Sequence, residues 1–110
     1  ALGISGACYD EQNDVLLITA SAENTNNAYD DGDIIGSALA VVYNVNQKLN
    51  HQFLEIDMLI ELDTIDSNFQ KQKIESICIS HQTNKNYTCV LVADNDDGKS
   101  VLFELEINLM

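Results

Sequence analysis

The sequence predicts an all-β fold of antiparallel meander sheets, about two β-propeller blades, hence an incomplete propeller. Three observations carry this expectation. Apolar residues alternate with polar ones at a period of two, in 54–63 and again in 101–109. An ordered set of strand, strand, Asp-Gly loop and strand occurs twice, about 70 residues apart. Finally, a four-bladed propeller at roughly 40 residues per blade needs about 160 residues, and the chain has 110. It is therefore expected to be a piece of a longer protein or to complete its sheets by self-association.

In chain order, the first unit spans about residues 1–63. Its opening strand is 4–8, where Ile4, Ser5, Gly6, Ala7 and Cys8 precede Tyr9 and Asp10. Residues 15–20 are short, continuous and rich in β-branched and aliphatic side chains, which reads as a strand covered on both faces. The long polar segment 22–36 follows, and loops of that length inside a compact domain are usually functional or disordered. A third strand occupies 37–45. Residues 54–63 alternate Leu54, Ile56, Met58, Ile60 and Leu62 with Glu55, Asp57, Glu61 and Asp63, interrupted by Leu59, and read as the outer strand. Weak patterning over 63–72 marks a crossing, with a short helix in 66–73 as one reading.

The second unit, about 73–110, repeats the order. Residues 74–78 match 4–8, so Cys78 stands where Cys8 does, Glu75 stands where Ser5 does, and both cysteines read as small apolar core residues. Residues 89–93 form another strand covered on both faces. Residues 95–99 then make a tight hairpin with Gly98 at a position needing positive φ. The closing strand, 101–109, has Val101, Phe103, Leu105, Ile107 and Leu109 on one face and Glu104, Glu106 and Asn108 on the other.

Composition narrows the function classes. Eighteen acidic residues face five basic ones, all lysine, for a formal charge of −13. Nucleic acid and anionic membranes are unsuitable partners for such a field. Without Arg there is no bidentate phosphate clamp. Three cysteines, Cys8, Cys78 and Cys89, have neither an even count nor a CxxC spacing, so no disulfide framework is expected. No stretch reaches about 18 consecutive apolar residues, and no segment has the order of a signal peptide. The compartment is left open.

The acidic loops are the first chemical candidates. Asp30, Asp31 and Asp33 in one, and Asp94 and Asp96 with Asp97 in the other, offer hard oxygen ligands suited to Ca²⁺. Neither loop has EF-hand spacing, and Asp and Asn also form turns by bonding their own backbone. Tyr29, set among carboxylates and amides, reads either as a sugar-stacking aromatic or as an anchor of its loop. Glu23 and Glu75 complete the ligand-binding candidates, Glu75 as a residue facing a propeller channel. No catalytic set emerges: residues 3–7 lack the second Gly of G-x-S-x-G, and His51 and His81 have no triad spacing.

Residues 3–7 with Tyr9 and Asp10, then 19–23 and 27–32, resemble a blade of uncharacterised bacterial propeller-like proteins. Residues 74–76 followed by 92–98 are similar to the phytase-like, or esterase-like, bacterial β-propeller group. The resemblance covers nearly the whole chain but only part of a full family member. It implies loops gathered at one end of a central channel, with acidic residues available for cations. By that analogy Glu23, Asp30, Asp31, Glu75, Asp94 and Asp96 are the residues to follow. The basic phosphate-binding side of a calcium phytase has no counterpart here, since Arg is absent and Lys sparse. The expectation is a binding or scaffold module partnered by the remaining blades or by further copies of itself. The alternatives are a Ca²⁺-dependent phosphoesterase and, more weakly, a carbohydrate-binding module.

Overall fold

The computed structural model describes residues 2–24, 33–95 and 98–109. Three long strands open the chain: β1 (Leu2–Asp10), β2 (Val15–Asn24) and β3 (Asp33–Tyr43). After α1 (Val45–Lys48) come the short β4 (Met58–Glu61), α2 (Leu62–Ile65) and a 3₁₀ turn at Ser67–Phe69. A second meander follows: β5 (Ile74–Thr83), β6 (Asn86–Asp94) and β7 (Ser100–Asn108). The first four strands form one sheet in sequence order and the last three form another, with every neighbouring pair antiparallel.

Local chemistry explains the turns. Asp10 ends β1 and accepts hydrogen bonds from the Gln12 and Asn13 backbone N–H groups at 3.0 and 3.3 Å, a side-chain turn that reverses the strand. Asp14 closes it at φ 56° and Asn84 closes the β5–β6 hairpin at φ 55°. Both residue types tolerate this left-handed region. Between β6 and β7, Asn95 N–H donates to the Lys99 carbonyl at 3.2 Å, Gly98 N–H donates to the Asn95 carbonyl at 3.2 Å, and Gly98 has φ 83°. The positive φ expected at Gly98 is present.

The two sheets pack face to face. Val15, Leu17, Leu39 and Val41 on the first sheet meet Ile77, Tyr87, Cys89 and Leu91 on the second in a single buried cluster, which Leu62 and Phe69 join from the crossing segment. Phe69 lies against Phe103 with ring centroids 4.5 Å apart. The other face of the first sheet is also buried, through Ile18, Ala40 and Val42 with Val45 of α1. This bears out the expectation that 15–20 is covered on both faces. The corresponding expectation for 89–93 holds on one face: Cys89, Leu91 and Ala93 are buried, whereas Val90 and Val92 are half-buried.

Three other expectations need correction. Residues 54–63 form a strand only at Met58–Glu61, and Leu54 and Ile56 are exposed. The carboxylate of Asp57 accepts a hydrogen bond from the Tyr43 backbone N–H at 2.7 Å, and Lys48 pairs with the same oxygen. A side chain thus takes the ladder position that a longer β4 would need. The helical reading of 66–73 is met only by the single 3₁₀ turn, with a four-residue helix lying just before it. Cys78 is exposed, not in the core, because it lies on the strand face opposite Ile77 and Ile79.

Candidate functional site

The first strands of the two sheets, β1 and β5, each at the edge of its sheet, lie side by side and run in the same direction. Gly6 sits against Ser76 near their starts, and Asn13, just past β1, meets Asn84, just past β5. Each strand carries a register shift near its start, between Ile4 and Gly6 in β1 and between Ile74 and Ser76 in β5, and β5 carries a second between Ile79 and His81. The extra residues at the shared shift are Ser5 and Glu75. Bulges of this kind re-aim a side chain and often stand beside functional sites. Gly6 is required there, since an added Cβ would meet the Ser76 Cα at 2.9 Å and the Glu75 carbonyl oxygen at 3.2 Å.

The strand ends that carry the sequence candidates share one rim of the molecule. Here β2 ends at Asn24, β3 begins at Asp33, β5 begins at Ile74 and β6 ends at Asp94. Glu75 is half-buried, with an oxygen 3.9 Å from the Lys73 ammonium. Asp94 is exposed and its backbone N–H donates to the Lys73 carbonyl at 3.1 Å. Asn95 joins the two segments: its Oδ1 accepts from the Lys73 N–H at 3.0 Å and its Nδ2 donates to Gln72 Oε1 at 2.8 Å. A hydroxyl seam completes the rim. Ser37 Oγ donates to the Gln72 carbonyl at 2.7 Å, and Ser21 Oγ donates to the Ile74 carbonyl at 3.1 Å. Among the described residues, no buried side-chain polar atom lacks a partner.

Of the sequence candidates, Glu75 and Asp94 are therefore placed at this rim, and Asp33 has its backbone in β3 opposite Asn24. The side chains of Glu23 and Asp33, and all of Tyr29, Asp30, Asp31 and Asp96, lie outside the described residues. Among the described residues, no three His, Cys, Asp or Glu side chains converge as a metal site. A shallow cavity of about 200 Å³ adjoins the rim, lined by Gly36, Ser37, Leu59, Glu61 and Asp63 among others.

The opposite rim holds a network that sequence reasoning missed. Asp10 is 5% exposed. It accepts from Tyr87 Oη at 2.5 Å and from Asn13 Nδ2 at 2.9 Å, and Asn13 Nδ2 also donates to the Asn84 carbonyl at 2.6 Å. Burial alone would raise the Asp10 carboxyl, but the donors from Tyr87, Asn13 and the Gln12 and Asn13 backbones outweigh it and hold the group below its ordinary value. Burial, then donation to Asp10, pushes the Tyr87 phenol up to about 12. These partners are 77 residues apart in sequence, so no local motif announces them. Beside this network an open cavity of about 390 Å³ is lined by His81, Gln82, Thr88 and Glu106.

Thiol chemistry is muted in the interior. Burial pushes Cys8 to about 11 and Cys89 to about 12, so both are neutral thiols at neutral pH. What the described surface offers is hydrogen-bonding rims around a rigid double sheet.

The family model described as "Family of unknown function (DUF6929)" matches residues 1–107. No curated protein and no solved structure matches the chain. The chain belongs to this family of unknown function.

Proposed function

We propose that this family member is a binding or scaffold module whose two sheets are consecutive blades of a β-propeller. The observation that carries the reading is a correspondence in strand register between residues 4–9 and residues 74–79 and their partners, which ends at a further shift between Ile79 and His81 in β5. In the first sheet Ala7 pairs with Ile18 and Ile18 with Ala40; in the second, Ile77 pairs with Leu91 and Leu91 with Phe103. Cys8, Leu17 and Val41 form a row, and Cys78, Val90 and Glu104 form its counterpart. The bulge falls at the same place in both units, at Ser5 and at Glu75. On this correspondence the face of the first sheet that packs on the second is equivalent to the second sheet's other face. That face bears Cys78, Val90, Val92 and Leu102, of which Leu102 is 70% exposed. A stack of like units uses such a face to pack the next unit, which supports further blades or further copies as partners.

The rival is a Ca²⁺-dependent phosphoesterase built on the same frame. The melting temperature measured with calcium and with chelator separates the two, combined with hydrolysis of a simple aryl phosphate. The module reading expects the same melting temperature in both and no hydrolysis. A ligand that binds only the folded state at a hundred times its dissociation constant adds about 2.7 kcal/mol. A clear rise with calcium accompanied by hydrolysis would overturn the module reading.

A further inference from the structure

We infer that the loop leading into β4, residues 51–57, is a docking site for an amphipathic helix with one apolar face flanked by basic residues. Residues 51–59 are nine consecutive exposed positions, and five of them are large and apolar: Phe53, Leu54, Ile56, Met58 and Leu59. Apolar side chains scattered singly over a surface are ordinary, whereas a run of them marks an interaction site. Phe53 is 77% exposed and Ile56 54%. The loop is internal to the chain and is tied down at its end. The Asp57 backbone N–H donates to the Val41 carbonyl at 2.9 Å, and the Asp57 carboxylate engages the Tyr43 N–H and the Lys48 ammonium. The last strand pair of β3 and β4 is Val41 with Met58, so residues 51–56 lie off the sheet. The packing of one blade on the next therefore does not account for their apolar character.

Backbone and charge select the occupant. Asp57 already bonds the Tyr43 N–H, so the ladder of β3 is closed there and an added strand has no partner to join. A helix satisfies its own backbone and needs only side-chain contacts, with apolar anchors at i, i+3, i+4 and i+7. Lys48 is the only Lys or Arg in residues 1–70, and Asp57 engages it. Glu55 and Glu61 are exposed, and neither forms an ion pair among the described residues. Opposite charges across an interface are complementary and like charges repel, so Lys or Arg suits the flanks of the apolar helix face. A second copy of the chain would bring the same carboxylates and a net charge of −13. An uncharged lipid surface would strip water from Glu55 without pairing it. The inference concerns a loop off the sheet and can fail while the blade reading stands.

The test is fluorescence anisotropy of a labelled helix-forming peptide of about 18 residues, roughly five turns, with Leu at i, i+3, i+4 and i+7 spacing and Lys elsewhere, titrated with the full chain. Saturable binding is expected, with little or none when every Lys is replaced by Glu. A peptide of the same composition whose leucines are scattered round the helix is expected to bind at least about tenfold more weakly. Phe53→Ser with Ile56→Ser, checked for folding by circular dichroism, is expected to lower affinity about tenfold or more by removing apolar area from the interface, while Leu102→Ser leaves it unchanged. Glu55→Lys, a second and milder surface change, is expected to weaken binding about threefold or more. Equal binding of the scattered peptide would reduce the effect to diffuse charge attraction and overturn the proposal. Loss of binding with Leu102→Ser and not with the double variant would place the peptide on the second sheet, which also overturns it. So would association of the chain with phosphatidylcholine vesicles in the absence of any peptide binding.

Discussion

Tyr87, Asp10 and Asn13 form the contact through which the two sheets are joined at one rim, and their chemistry makes its strength measurable. Tyr87→Phe removes the donor nearest a buried carboxylate, and hydrogen bonds to charged groups contribute more than neutral ones. Urea unfolding is expected to show a loss of about 1–3 kcal/mol at neutral pH. The pH dependence has a definite sign at each end. Asp10 is held below its ordinary 3.8, so its contribution is fully present above that value and is lost as pH falls through the lower folded value. Tyr87 is raised from 10.0 to about 12, so its contribution is fully present below 10.0 and is lost as pH rises through about 12. The stability gap between wild type and Tyr87→Phe should therefore be widest between these limits and narrow on both sides. At the other junction of the sheets, Gly6→Ala drives a Cβ onto Ser76 backbone, whereas Gly3 has nothing within 4 Å. Thermal unfolding is expected to report a loss of about 1–3 kcal/mol for Gly6→Ala and much less for Gly3→Ala. Equal effects would mean that β1 and β5 are not in close approach.

Among the elements, the crossing from β4 to β5 is short but central to the packing. Leu62 is fully buried while Ile65, three residues on in the same helical turn, is 50% exposed. Leu62→Ala is expected to cost about 2–5 kcal/mol and Ile65→Ala to fall within about 0.5 kcal/mol of wild type, both read from denaturant midpoints. Residues 54–63 also show where the sequence is legible and where it is not. The period of two does mark a strand at Met58–Glu61, yet periodicity cannot say how much of a neighbouring edge is available. The Asp57 carboxylate, bonded to the Tyr43 N–H, closes the ladder early. Strands β1 to β3 and β5 to β7 were legible because each is long, alternating or continuously apolar, and bounded by Asp, Asn or Gly turns. The exposure of Cys78 is not legible in the sequence, because a matching position says nothing of which strand face has a neighbour. The carboxylates of Glu75 and Asp94 can be read in the sequence and the fold sets both at one rim, whereas the Asp10–Tyr87 network depends on a contact between the sheets that local spacing does not encode.

At the scale of the molecule, the proposed blade reading makes the second sheet's outward face the equivalent of the first sheet's buried face, and so a surface for the next unit. Cys78, Val90, Val92 and Leu102 lie on it together with Glu104, and Leu102 is 70% exposed. Of its apolar side chains Leu102 is the most exposed, while Val90 and Val92 are half-buried. A back face that packs on an unlike front face generates head-to-tail association, closed if the rotation closes. The proposed packing invokes no cation, so on that reading chelation is expected to leave association unchanged. The most direct measurement is sedimentation velocity of the full chain over a wide concentration range, beside Leu102→Lys. Concentration-dependent association is expected in the wild type, and Leu102→Lys is expected to abolish it without loss of β-sheet signal. A wild type that remains strictly monomeric at the highest concentrations, or association indifferent to Leu102→Lys, would contradict it.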